Sequence, residues 1–137
     1  MEKHFDLSGS DFEKKFINCE LNPMGFTHEA HLRLAWININ KYGIKQAEKN
    51  IQSGLQNFVE FVGAKDKYNT TLTLASIKAV YHFMLKSKSD NFKDFITEFP
   101  RLKNNFKELL ASHYGFDIYN SDKAKAEFLG PDLIPFD

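Results

Sequence analysis

Apolar residues in this chain recur at helical spacing, and nowhere in an alternation long enough for a strand. The clearest run is Phe92, Phe95, Ile96 and Phe99, at i, i+3, i+4 and i+7. Ile44, Ala47, Ile51, Leu55, Phe58 and Val62 form a second stripe, with Gly63 as its stop. From Thr70 to Leu85 one side carries Leu72, Ala75, Ala79 and Phe83, and the other Leu74, Ile77, Tyr81 and Met84. A helix so apolar belongs at the centre of a bundle. Its narrow polar strip is Lys78, His82 and Lys86.

Local signals place the remaining helices. Ser10 and Glu13 have capping-box spacing and predict a helix from Asp11 to near Cys19. Asn22 to Gly25 reads as a turn, after which Thr27 caps a helix that Gly43 stops. Asp90 is the expected cap of the Phe-rich helix. Pro100 breaks that helix and opens the next, which carries Leu102, Phe106, Leu109 and Leu110 and ends at Gly115. Ser121 starts a short helix through Ala124 and Phe128. Gly130 to Phe136 holds two prolines and is apolar enough to lie as an ordered tail. The expected fold is all-α: residues 1–137 as a single-domain irregular helical bundle of about six or seven helices with an extended C-terminal tail.

Charge and cysteine content bound the function. Eighteen basic residues balance eighteen acidic ones, so no long-range field draws in nucleic acid or an anionic membrane. No apolar run approaches the roughly 20 residues of a membrane span. The residues after Met1 lack the form of a signal peptide, and Cys19 is the lone cysteine, so a reducing, cytoplasmic address is expected. As a nucleophile Cys19 would need His28 or His31 beside it; an inert thiol is the simpler reading.

The residues able to do chemistry cluster at Phe26-Thr27-His28-Glu29-Ala30-His31-Leu32. His28 and His31 share an arc with Leu32, Ala35, Trp36, Ile39 and Tyr42, so both rings are expected on the apolar side of the helix start. Glu29 and Arg33 fall off that arc and are expected in solvent. The string is one residue short of the zinc-protease motif His-Glu-x-x-His and is not that motif. The positive end of the helix keeps both rings neutral, as a metal ligand or general base must be. Two imidazoles do not complete a metal site. His82 sits between lysines, His113 ends a helix, and His4 falls in a terminus expected to be mobile. His31 is also placed to pack on Phe26 as a staple. Tyr68, Asn69 and Thr71 form a polar start to the central helix, with capping by Asn69 or Thr70 as the alternative use.

Phe26 to Trp36, Tyr68 to Thr73, Ala124 to Phe128 and Pro131-Asp132-Leu133 together resemble a family of small uncharacterised bacterial all-α proteins. Its pattern is Phe-x-His-x-x-His-Leu followed by Ala-Trp, then Tyr-His-x-Thr-x-Thr, then Pro-Asp-Leu. The resemblance spans Phe26 to Ile134 and implies a shared site without naming a reaction. This chain has Asn69 where the pattern has histidine, so a third imidazole is lost or replaced by a neutral hydrogen-bonding group.

The expected function is a pocket of His28, His31, Tyr68, Asn69 and Thr71, where the starts of the second and fourth helices meet. It would bind a small polar ligand or a divalent metal, with His28 and His31 as metal ligands or acid–base groups. The alternative is a non-catalytic helical interaction module with structural histidines. Neither nucleic acid nor membrane is an expected partner; a second copy is, because the Phe-rich helix serves equally as core or dimer face.

Overall fold

The positions where helices start and stop follow local chemistry closely. In the computed structural model, which describes residues 1–136, the described residues form eight α-helices and no strand. They are α1 (Gly9–Ile17), α2 (His28–Tyr42), α3 (Ile44–Phe61), α4 (Thr70–Met84), α5 (Phe92–Glu98), α6 (Arg101–Asn104), α7 (Phe106–Ala111) and α8 (Asp122–Ala126). Single 3₁₀ turns occupy Lys3–Asp6, Pro23–Gly25 and Lys65–Lys67. Among the described residues no helix is long and apolar enough to cross a membrane. The chain divides into two compact units, one ending at Tyr68 and the other beginning at Asn69.

In the first unit α2 packs most extensively on α3, and α1 packs on both. A single residue, Gly43, joins α2 to α3 at φ +82°, a backbone conformation that favours glycine. Phe12 and Phe16 of α1, Leu32, Leu34 and Ile39 of α2, and Ala47, Ile51 and Phe58 of α3 are buried. Gly54 sits inside α3 because the Phe16 ring lies against it: a Cβ there would stand 2.3 Å from Phe16 Cε2. The start of α1 differs from expectation. Its cap is Ser8, whose Oγ accepts from the Asp11 amide, rather than Ser10. Both serines suit the role; the earlier one lengthens the helix by two residues, from Asp11 back to Gly9.

In the second unit α4 packs on α8. Ala75 and Ala79 of α4 form one core with Leu110, Tyr114, Ile118, Ala124 and Phe136. Phe92, Phe95 and Ile96 of α5 are buried, so the Phe stripe is core. The cap of α5 is Asn91, which accepts from the Asp94 amide, and not Asp90. The single helix expected after Pro100 is two. Asn105, at φ −134° and ψ 36°, leaves the helical region and splits it into α6 and α7, and the second piece ends at Ala111, before Gly115. Residues 130–136 are ordered as an extended tail. Leu133 and Ile134 donate to the carbonyls of His113 and Ser112, the Gly115 amide donates to Asp132, and the Phe136 ring stacks on His113.

Candidate functional site

Thr27 opens α2 as a side-chain cap, with its Oγ1 accepting from the Ala30 amide at 3.3 Å. Its carbonyl accepts the first helical bond, from the His31 amide, and also faces His31 Nδ1 at 2.7 Å. A carbonyl can only accept, so Nδ1 carries the proton and Nε2 holds the lone pair. The His31 ring lies flat on Phe26, with centroids 3.9 Å apart and planes 8° from parallel. This is the staple, yet the residue as a whole is exposed, so the expectation that both rings lie on the enclosed side of α2 is overturned: His31 is laid against Phe26 of the preceding turn instead. Loss of hydration pushes the His31 pKa below the usual imidazole value. The Thr27 carbonyl pushes it up, and the neighbouring His28 pushes it down. His28, one turn earlier, is exposed.

Two expectations about the other side of α2 are overturned. Glu29 and Arg33 are buried, at 4% and 8% exposure, and do not face solvent. His4 is 4% exposed and ordered in the 3₁₀ turn Lys3–Asp6, not in a mobile end. One packing fact explains both: the first seven residues lie across the outer face of α2. A helical wheel built from α2 alone contains no information about a cover supplied by residues more than 20 positions away.

That cover brings charged groups together out of water. His4 Nε2 lies 2.6 Å from Glu29 Oε1 and 3.9 Å from Glu2 Oε1. Glu2 Oε1 also accepts the Thr27 hydroxyl, tying the terminus to the cap of α2. Arg33 Nη1 donates to the His4 carbonyl at 2.5 Å, and Nη2 to the Leu7 carbonyl at 2.9 Å. The guanidinium lies over the Phe12 and Phe5 rings, 5.0 and 5.6 Å from their centroids. Among the described residues, Glu2, His4 and Glu29 form the group whose ligand atoms all fall within 4.8 Å of one another; His28 and His31 are not in it. An open cleft of about 360 Å³ adjoins the group, and Glu2, His4, Thr27, Leu7, Phe12 and Phe26 are among the residues that line it.

The other three expected site residues lie elsewhere along the chain. Tyr68 closes the first unit and is half-buried. Asn69 caps α4 by accepting from the Leu72 amide at 2.9 Å, and donates to the Ile118 carbonyl at 2.8 Å. It fills the neutral hydrogen-bonding role open to an asparagine at that position. Thr71 is wholly buried: its hydroxyl donates to the Glu127 carbonyl and accepts from the Leu129 amide. Of the other histidines, His113 Nδ1 faces the Ile134 carbonyl at 2.6 Å and serves the tail. Cys19 is half-buried at φ +57°, just past the end of α1.

Sequence reasoning therefore missed Glu2, His4, Glu29 and Arg33 as a group. One signal was available: Glu29 and Arg33 are oppositely charged i, i+4 partners on one face of α2. Comparison with family models, curated proteins and solved structures returned no match. The functional reading consequently rests on these residues alone.

Proposed function

We propose that this chain is a small binding protein that takes a divalent metal ion through Glu2, His4 and Glu29, at the start of α2. The observation that supports the reading is the convergence of one imidazole and two carboxylates from two distant segments within 4.8 Å, two of the three residues being buried. Two hard oxygen ligands and one nitrogen suit Mn²⁺, Fe²⁺ or Zn²⁺. Three protein ligands leave coordination positions open. Donors around a tetrahedral ion stand roughly 3.4 Å apart. The 2.6 Å pair would therefore open and the 3.9 Å pair close, each by side-chain rotation.

Arg33 fixes the backbone that presents His4 by donating to the His4 and Leu7 carbonyls. An ion on His4 Nε2 requires the proton on Nδ1, the atom that the Arg33 Nη1 donor faces at 3.5 Å, so uptake displaces the bond to Glu29, turns Nδ1 away from Arg33 and becomes weaker as pH falls. The reading also takes the chain as cytoplasmic, supported by its single cysteine, and as a bacterial protein of the family that Phe26 to Trp36 resembles.

Thermal melts with Mn²⁺ or Zn²⁺ test the proposal. An ion at a hundred times its dissociation constant adds about 2.7 kcal/mol of apparent stability. Glu29→Gln, which keeps a hydrogen-bonding group beside His4, should abolish the shift, whereas His28→Ala should leave it intact. A shift lost in His28→Ala would return the site to His28 and His31. No shift with any of these ions, and no metal in the purified protein, would overturn the reading. The second reading, an interaction module with structural histidines, draws support from His31, whose ring is held by Thr27 and Phe26 of its own segment.

A further inference from the structure

Two of the three ligands, Glu2 and His4, belong to the cover formed by residues 1–7, and the third, Glu29, belongs to α2. The three converge only while the cover lies on α2. That contact is thinly buried. Within the cover His4 is buried, Met1, Lys3 and Asp6 are exposed, and Glu2, Phe5 and Leu7 are half-buried. Polar contacts cross from it to α2 and its cap: the Thr27 hydroxyl donates to Glu2, His4 meets Glu29, and Arg33 donates to the His4 and Leu7 carbonyls. A hinge is also present. The 3₁₀ turn closes where the Leu7 amide donates to the His4 carbonyl, and α1 starts at Gly9. Leu7 and Ser8 are both extended, so rotation between them swings the cover without breaking a bond of the turn or of α1.

We infer that residues 1–7 are a latch that the metal ion locks: in the metal-free chain they open from α2 separately from the rest of the fold, and an ion held across Glu2, His4 and Glu29 keeps them closed. The inference rests on the metal reading and names the regulation of that same site. Opening leaves Glu29 alone on α2, so the ion binds the closed form and not the open one. A ligand shifts an equilibrium by its difference in affinity for the two states, and here that difference is nearly the whole of the binding. Without the ion, closure confines His4, Glu29 and Arg33 away from water, at a desolvation cost that apolar packing would not carry. Opening uncovers Glu29 and Arg33 on one face of α2. The ion thereby controls whether that charged face is exposed.

Hydrogen exchange of the full chain, followed by mass spectrometry with and without Zn²⁺ or Mn²⁺, tests the latch. The reporter is the peptide carrying Phe5 and Leu7, whose amides bond the Glu2 and His4 carbonyls. In the metal-free chain it should exchange at least about tenfold faster than α2, because local opening needs less free energy than global unfolding. An ion at a hundred times its dissociation constant should slow it by about a hundredfold. Glu29→Gln should leave its exchange insensitive to the ion. Arg33→Lys keeps the charge but not the fork on two carbonyls; it should speed the metal-free exchange, and excess ion should restore protection. Cover amides as slow as those of α2 without metal would overturn the inference, as would unchanged exchange in Arg33→Lys. If melts show that the ion binds and the cover is not slowed, the latch falls and the metal reading stands. If no ion binds, both fall.

Discussion

The starts of α2 and α4 look alike in sequence and are built on opposite principles. Each follows a polar cap, Thr27 in one case and Asn69 in the other, and each carries residues with chemical potential in its first turn. At α4 those groups are consumed by the fold. Asn69 and Thr71 between them satisfy two amides and two carbonyls, joining the helix start to Ile118, Glu127 and Leu129. The chemistry of that unit is held in neutral form: Tyr114 donates to the Leu129 carbonyl, and burial, then the Asp132 charge, push its pKa up to about 12. At α2 the fold instead buries charge. Glu29 and Arg33 are enclosed with His4, beside a cavity, although apolar residues would cover the same face at lower desolvation cost. The difference shows where to look for function: neutral polar groups with every bond made are explained by the fold, whereas enclosed charges beside open space call for a further role.

The largest expected effect comes from the charged side. Arg33→Ala removes two charge-assisted bonds, to the His4 and Leu7 carbonyls, and releases the N-terminal cover. Each such bond contributes about 1.5–3 kcal/mol, so a loss on the order of 3 kcal/mol is expected in urea unfolding. A loss below about 1 kcal/mol would mean that the cover is held by apolar packing alone, and the contrast with α4 would collapse.

Thr71→Val probes the neutral side. It is nearly isosteric, and it strands the Leu129 amide and the Glu127 carbonyl. A destabilisation of about 1–3 kcal/mol should appear, with any metal response unchanged. A changed metal response would bring the α4 start back into the site.

The smallest effect is a pH slope. The folded pKa of His31 lies below its ordinary value of 6.5, because desolvation outweighs the Thr27 carbonyl. As pH falls through that value the unfolded chain takes up the proton first. The stability contributed by the neutral ring is therefore complete above the unfolded pKa and lost as pH falls through the folded one. Wild-type urea midpoints should drop as pH falls through 6.5 and below, and His31→Gln should flatten that drop. An equal drop in both proteins would show that the ring is hydrated rather than sealed against Phe26.

Much of the fold was legible because its signals are local. The Phe92 to Phe99 stripe, the Thr27 and Asn69 caps, the Gly43 stop and the His31–Phe26 staple each depend on residues within one or two helical turns. The break at Asn105 was not legible. Asparagine is tolerated inside a helix, and the backbone leaves the helical region there without a proline or glycine to announce it. The site was half legible. The helix that carries it was found by its histidines, and its other half was assigned to a mobile end, because nothing within Met1 to Leu7 says what that segment covers.

The sequence by itself determined an all-α chain and the Thr27 and Asn69 caps and Gly43 stop of its longer helices, since each follows from short-range backbone hydrogen bonding and spacing. Only the tertiary structure decided which face of α2 is enclosed and which residues meet there. His4 and Glu29 are 25 residues apart, and His4 and Arg33 are 29 apart. A contact across such separations is set by how whole segments pack, and packing buries whatever side chains the cover happens to reach, charged or not.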